Sequence, residues 1–236
     1  ALIAFTSGTT GNPKGCVHFH RDVAAMARTF SRHILQPKAE DVFIGTPPFA
    51  FTFGLGASVI FPAAAGAATA LPANPGFDAL ADAVARHRAT TLFTSPTGYR
   101  ALLKIYDGRL STLHTCVSAG EHLPRATSEQ WFDRTGIRII DGIGSTEMIH
   151  IFVSACGADI RPGATGKAVP GDDATLLDEH DQPIEGEGEG RLAIRGPTGC
   201  RYLADERQRA YVVNGWNVTG DIYRRDAEGY FWYVSR

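Results

Sequence analysis

The sequence predicts an α/β protein: a mainly parallel sheet flanked by helices, followed by a smaller β-rich, barrel-like part. Three observations carry this prediction. Up to residue 156, short apolar runs alternate with segments of helical spacing, the pattern of strand–helix–strand units that build a parallel sheet. From near Gly157 the texture changes to Gly-rich turns between short strands, as in small antiparallel sheets and barrels. The Gly- and hydroxyl-rich runs follow predicted strands, where open α/β sheets hold their ligands.

The elements follow in order. Residues 1–5 are apolar and predict a buried strand ahead of a glycine-rich loop. Residues 17–35 have helical spacing, 41–46 read as a strand, 54–65 as an apolar helix and 67–71 as a strand. A helix over 77–87 precedes a β-branched strand over 90–94. A helix over 96–106 opens with Pro96, which the first helical turn tolerates. Strand 114–118, helix 125–135 and strand 137–140 continue the alternation. Beyond residue 163 the chain reads as short strands, with a hairpin turn at residues 226–229 and a structural strand near 190–197. These boundaries predict an α/β part over 1–156 and a β-rich subdomain over 157–236.

Composition bounds the function. At 236 residues, with a hydrophobic fraction of 44% and a charged fraction of 20%, the chain has ordinary globular composition and enough length for a real core. A formal net charge of −2 gives no electrostatic basis for nucleic-acid or anionic-membrane partners. Gly and Pro interrupt the most apolar stretch, 51–70, and the N-terminus lacks the flanks of a signal peptide. Four cysteines are far apart, without a C-x-x-C pair, which predicts free thiols in a reducing cytoplasm. His18 and His20 lack the usual zinc-ligand spacing.

Four runs carry chemistry. The first packs Thr6, Ser7, Gly8, Thr9, Thr10, Gly11 and Lys14 into a loop after the first strand. Glycines let backbone N–H groups approach a ligand closely, and hydroxyls and the lysine add donors and charge, which suits phosphate oxygens. It does not fit the P-loop pattern. The second, Asp141-Gly142-Ile143-Gly144-Ser145-Thr146-Glu147, joins glycines to a hydroxyl and a hard oxygen ligand for Mg²⁺, although Gly-Ser-Thr-Glu alone also fits a helix cap. The third is Ser118-Ala119-Gly120-Glu121-His122; Cys116 breaks the G-x-S-x-G pattern, so a serine hydrolase is excluded. The fourth, Thr219-Gly220-Asp221, predicts a carboxylate at a tight turn, suited to ribose hydroxyls.

In order and spacing these four runs resemble the adenylate-forming superfamily of acyl- and aryl-CoA ligases, peptide-synthetase adenylation domains and luciferases, over essentially the whole chain. The family activates a carboxylate with ATP, forms an acyl-adenylate and pyrophosphate, and passes the acyl group to a thiol. The resemblance implies that Thr6 to Lys14 hold the β- and γ-phosphates. It implies that Thr146 contacts the α-phosphate, that Glu147 binds Mg²⁺, and that Lys14, Thr146 and Glu147 form the catalytic set. Glu121, Asp141, Gly142 and Ile143 would frame the adenine, and Asp221 would hold the ribose. Ile143 stands where the family usually has an aromatic residue, so aliphatic packing replaces stacking there. Arg236 matches the arginine that opens the family's hinge.

The run DGIGSTEMIHIF (141–152) resembles the aryl-CoA ligases of the benzoate type, as does PPFAFTFGLG (47–56). That likeness implies a ring pocket lined by Thr52, Phe53, Ala119, Gly120, Gly144, His150 and Ile151. The stretch 196–203 resembles the 2-aminobenzoate branch. The implied reaction joins an aromatic carboxylate, best 2-aminobenzoate or benzoate, to CoA with ATP and Mg²⁺. Alternatives are an adenylation domain loading a carrier protein, a non-catalytic nucleotide-binding module and a luciferase-like oxygenase. Both ends of the chain look cut. The family's C-terminal lid domain and its adenylation lysine are expected beyond Arg236, so the chain alone is expected to turn over little.

Overall fold

The structure is a computed structural model that describes residues 1–6 and 12–236. Its centre is a seven-stranded sheet. Strands β3 (Val42–Gly45), β4 (Ala68–Thr69), β5 (Thr91–Thr94), β6 (Thr115–Ser118) and β7 (Ile139–Gly144) are parallel; β8 (Ile151–Ser154) and β9 (Lys167–Ala168) close one edge antiparallel. The order is β4-β3-β5-β6-β7-β8-β9.

Helices cover both faces, so the central strands are apolar on both sides. Leu92, Cys116 and Ile139 face one cluster, with Leu80, Val84, Tyr99, Leu102 and Trp131. Their neighbours Phe93, Val117 and Ile140 face the other, with Met26, Phe30 and Phe61. The period-2 alternation of side chains along a strand divides them. The first cluster is supplied by α4 (Phe77–His87), α5 (Pro96–Lys104) and α6 (Arg125–Thr135). Ser95 caps α5 by accepting from the Gly98 N–H at 3.3 Å, and α6 stops at Gly136, in the left-handed region at φ 73°. On the other face, α1 (His20–Met26) continues as a more widely wound helical run, Ala27–Leu35. A second helix runs from α2 (Thr52–Leu55) through Gly56–Ile60 to α3 (Phe61–Ala65).

The Gly-rich half forms an antiparallel sheet of β10 (Asp173–Leu177), β11 (Gly188–Arg195), β13 (Val212–Val213), β14 (Trp216–Arg225) and β15 (Phe231–Ser235). The hairpin turn expected at 226–229 joins β14 to β15. A third sheet pairs β1 (Leu2–Phe5), β2 (Gly15–His18) and β12 (Arg201–Tyr202). A short helix, α7 (Gln208–Tyr211), follows β12. Among the described residues, no helix is long and apolar enough to cross a membrane.

The structure corrects several expectations. β1 is not a buried strand: Ala4 points inward, but Phe5 is 59% exposed, because β1 forms the edge of a three-stranded sheet. The helix expected over 17–35 begins only at His20; Val17 and His18 belong to β2, whose pairing with β1 and β12 outweighs their helical spacing. The strand expected over 137–140 runs on to Gly144, so Asp141, Gly142 and Ile143 lie in β7, paired with the unexpected β8, rather than in a loop. Asp221 lies within β14 rather than at a tight turn, although Gly220 takes φ 83° in the stretch 219–221 that the pairing with β11 skips. β9 and β12, both beyond residue 157, join sheets built mainly from earlier residues.

Candidate active site

The phosphate-loop candidate leaves β1 and returns into β2. Its neck is closed by two hydrogen bonds: Thr6 N donates to the Lys14 carbonyl at 3.0 Å, and Lys14 N donates to Thr6 Oγ1 at 3.1 Å. Ser7, Gly8, Thr9, Thr10 and Gly11 lie outside the described residues. From the far side, Arg207 donates to the Asn12 carbonyl at 3.1 Å.

Lys14 meets the second motif through a third residue. Its Nζ lies 2.8 Å from the Tyr202 hydroxyl and 3.4 Å from Glu147 Oε1. Tyr202 in turn donates to Glu147 Oε1 at 2.5 Å. Burial and the hydrogen bond to Glu147 push the Tyr202 phenol well above its ordinary pKa, which keeps it a donor. Glu147 is 9% exposed. Its charge is therefore satisfied by a cation and a hydroxyl, as a buried carboxylate requires. Tyr202 was not predicted as a site residue. Its only sequence signal is its place in the 196–203 stretch, 188 positions from Lys14.

Glu147 sits in the turn between β7 and β8. Met148 N donates to Ser145 Oγ at 3.1 Å, and Thr198 Oγ1 donates to the Met148 carbonyl at 3.0 Å. Gly144 is required there: a Cβ would lie 2.6 Å from the His150 carbonyl. Among the described residues no three His, Cys, Asp or Glu side chains gather as a metal cluster. One carboxylate is nonetheless the usual protein share of a Mg²⁺ held mainly by phosphates and water. Both contacts of Glu147 fall on Oε1, so the donor set fits a cation at Oε2.

The third motif is a turn after β6. Ala119 is buried, Gly120 takes φ 89°, and Glu121 is exposed and accepts from Thr97 Oγ1 at 2.7 Å. His122 stacks on Tyr233 of β15 at 4.9 Å, joining this turn to the antiparallel sheet. Ile143 packs toward Tyr223 and Phe231 of that sheet. Asp221 and Arg236 come together at 3.8 Å, and burial raises the Asp221 carboxyl pKa while Arg236 lowers it.

Asp141 lies beside Ser118 on the neighbouring strand. Burial pushes its pKa up to about 8, and among the described residues Oδ1 is buried without a hydrogen-bond partner. The folded state thus holds a proton that the unfolded chain releases near pH 4. Asp141 then weakens the fold as pH rises from about 4 to about 8, with no further change above its folded pKa. Asp141→Asn is expected to flatten that fall in melting temperature, and calorimetry of the two chains between pH 6 and 8.5 checks it.

Four of the expected ring-pocket residues, Phe53, Ala119, His150 and Ile151, come together around one aromatic cluster, whereas Gly120 is exposed with nothing close to its Cβ position. The His150 ring lies 5.9 Å from Phe53, 4.6 Å from Phe61 and 5.0 Å from Phe30. Phe53, Ala119 and Ile151 pack in that cluster, Thr52 is buried, and Gly144 touches the His150 backbone. His150 is 4% exposed, and among the described residues neither ring nitrogen has a hydrogen-bond partner. Burial pushes its pKa down to about 3, so the ring is neutral at working pH.

Comparison with known proteins shows the family. Residues 1–202 match the family model described as AMP-binding enzyme. The chain is 38% identical over 240 residues to a benzoate–CoA ligase of Thauera aromatica, covering 98% of the chain and 45% of that protein. It is 34% identical over 239 residues to an anthranilate–CoA ligase of Pseudomonas aeruginosa, covering 100% and 46%. The crystal structure of the anthranilate CoA ligase AuaEII in complex with anthranoyl-AMP superposes with a TM-score of 0.93 at 36% identity, covering 99% of this chain and 46% of that one. The chain therefore spans less than half the length of the relatives it matches. With the family model covering most of its length and a relative 38% identical along 98% of it, the chain belongs to the AMP-binding enzymes.

Proposed function

We propose that the whole protein carrying this chain is an AMP-forming aryl-CoA ligase, which converts an aromatic carboxylate, ATP and CoA to aryl-CoA, AMP and pyrophosphate. The observation that carries this reading is the Lys14–Tyr202–Glu147 contact, which brings two oxyanion-handling segments together at one spot. The relatives' names favour benzoate or 2-aminobenzoate (anthranilate) as the acid.

The carboxylate oxygen attacks the α-phosphorus, and pyrophosphate leaves. Such displacements depend mainly on positioning and on stabilising charge that develops in the transition state. Lys14 and the backbone of the Thr6–Lys14 loop hold the β- and γ-phosphates. The Thr146 hydroxyl contacts the α-phosphate. Glu147 would hold Mg²⁺, which offsets phosphate charge when bound. Asp221 and Arg236 hold the ribose; Glu121, Asp141, Gly142 and Ile143 frame the adenine. Thr52, Phe53, Ala119, Gly120, Gly144, His150 and Ile151 line the ring site. In this reading residues 1–156 form the nucleotide- and acid-binding part, and 157–236 the β-rich part leading to a hinge. The free cysteines fit a reducing cytoplasm, and small molecules are the partners.

The test is carboxylate-dependent ATP–pyrophosphate exchange by the whole protein, with benzoate, 2-aminobenzoate, hydroxybenzoates and a medium-chain fatty acid. Exchange with one aryl acid, followed by aryl-CoA formation when CoA is added, is the expected result. Exchange with the fatty acid alone overturns the ring-pocket assignment. Exchange without transfer to CoA points to a carrier-loading adenylation domain. No exchange from protein that binds ATP leaves a non-catalytic binding module.

A further inference from the structure

We infer that His18 is a positioning residue that holds the turn carrying Thr146 and Glu147 in its working shape. The inference rests on the proposed roles of those two residues. His18 ends β2 and is 1% exposed. Its Nε2 lies 2.7 Å from the Thr146 carbonyl oxygen, the carbonyl of the peptide that links Thr146 to Glu147. A carbonyl only accepts, so Nε2 carries the proton and donates. On the other side of the ring, Nδ1 lies 3.4 Å from Asp22 Oδ2, and that carboxylate is itself held by the Phe19 N–H at 2.9 Å. Among the described residues Nδ1 makes no hydrogen bond, so the imidazole is held through Nε2, which ties the end of β2 to the catalytic turn. It joins the strand that leaves the phosphate loop to the second motif, 128 positions away.

The turn needs such a hold. Ile149, three residues after Thr146, has φ 67°. A β-branched side chain in the left-handed region is strained, and such a residue persists only where its surroundings over-determine it. Ile149 N also donates to the Thr146 carbonyl at 3.2 Å. That one oxygen therefore receives both the strained residue's N–H and the His18 ring. Removal of the ring leaves a part-buried carbonyl with half its support and frees the peptide plane to rotate. Rotation would carry the Thr146 hydroxyl and the Glu147 carboxylate with it. Positioning errors of this kind act on the reaction step more than on acid binding. Ile149 and His150 of the turn pack into the ring-pocket cluster through apolar and aromatic contacts that do not involve the His18 ring, so the acid site is expected to change less than the phosphate side.

The experiment uses the whole protein and its exchange reaction with saturating ATP and 2-aminobenzoate. His18→Ala is expected to lower maximal exchange at least tenfold while the acid KM moves less than about threefold, as for loss of positioning in the transition state. His18→Gln, which can place an N–H near the Nε2 position, is expected to recover at least a third of the wild-type rate. Wild-type exchange in a folded His18→Ala variant overturns the inference. So does an equal loss in both variants that tracks their melting temperatures, since that marks a purely structural role. Glu147→Ala serves as the control: if it retains exchange, the reading of the site fails rather than that of His18. A crystal structure of the His18→Ala chain then decides the point without activity. A Thr146–Glu147 peptide that rotates, or an Ile149 that leaves the positive-φ region, supports the hold; an unchanged turn overturns it.

Discussion

Glu147→Ala in the whole enzyme is expected to lower acid-dependent pyrophosphate exchange at least a hundredfold, the scale of losing one preorganised charge-stabilising group. The fold should survive, because the change leaves a solvent-reachable lysine rather than a stranded charge. Lys14 is 24% exposed at its side chain and can turn to water, and Tyr202 keeps Lys14 as a hydrogen-bond partner. Glu147→Gln separates two roles that the carboxylate combines. The amide oxygen still accepts from Tyr202, so the local hydrogen bonding is kept, but the charge that would hold Mg²⁺ and balance Lys14 is gone. If Glu147 acts through charge, Gln and Ala lose activity alike and raise the Mg²⁺ needed for half-maximal exchange. If it acts only by holding Tyr202 and Lys14 in place, Gln keeps most of the rate. Near-normal exchange in the folded Ala variant removes Glu147 from the reaction. Tyr202→Phe offers an independent check: it keeps the ring under Lys14, which sits 4.5 Å from the ring centre, and deletes only the hydroxyl.

The parts of the fold legible in the sequence are those where one local signal dominates. Helices α4 and α6 have the bounds expected of them: α4 carries a regular apolar spacing, and α6 is bracketed by Pro124 before it and Gly136, in the left-handed region, after it. The parallel strands were legible because they are buried on both faces and read as unbroken apolar runs. Local reading failed where pairing decided the outcome. Cys16, Val17 and His18 are too few to announce a strand beside a longer helical pattern, and their partners lie at residues 2–4 and 201–202. β8 reads as apolar continuation of the Glu147 motif, and nothing local says that the chain has reversed. The same distinction holds at the site. Lys14, Glu147 and Asp221 stand out as charged residues among glycines and hydroxyls. Tyr202 and His18 matter by whom they touch, at separations of 55 and 128 residues. No short pattern encodes such contacts.

His150→Phe is expected to make the fold more stable and the enzyme less discriminating. The ring is enclosed by Phe30, Phe53 and Phe61, and Gly56 leaves it no slack, since a Cβ there would lie 2.7 Å from the imidazole. Both nitrogens are buried without hydrogen-bond partners among the described residues. Each such group costs roughly 1–3 kcal/mol, and two of them together outweigh the strain, about 1–3 kcal/mol, of seating the larger phenyl ring beside Gly56. The pH dependence has a definite sign. The folded pKa is pushed down to about 3, so His150 binds its proton in the unfolded chain first. Its contribution to stability is present above the ordinary histidine pKa and is lost as pH falls toward 3. His150→Phe should remove that acid sensitivity and raise the melting temperature at pH 5. The activity should move the other way. A neutral imidazole offers one donor and one acceptor, which match an amino group ortho to a carboxylate and have no counterpart on benzoate. The ratio of kcat/KM for 2-aminobenzoate over benzoate is therefore expected to fall about tenfold, the worth of one buried hydrogen bond to the substrate. A higher melting temperature with an unchanged ratio would make His150 a strained packing residue and move the origin of acid selectivity elsewhere in the pocket. A lower ratio with the higher melting temperature would mean that the site keeps an unsatisfied ring for its substrate at the expense of stability.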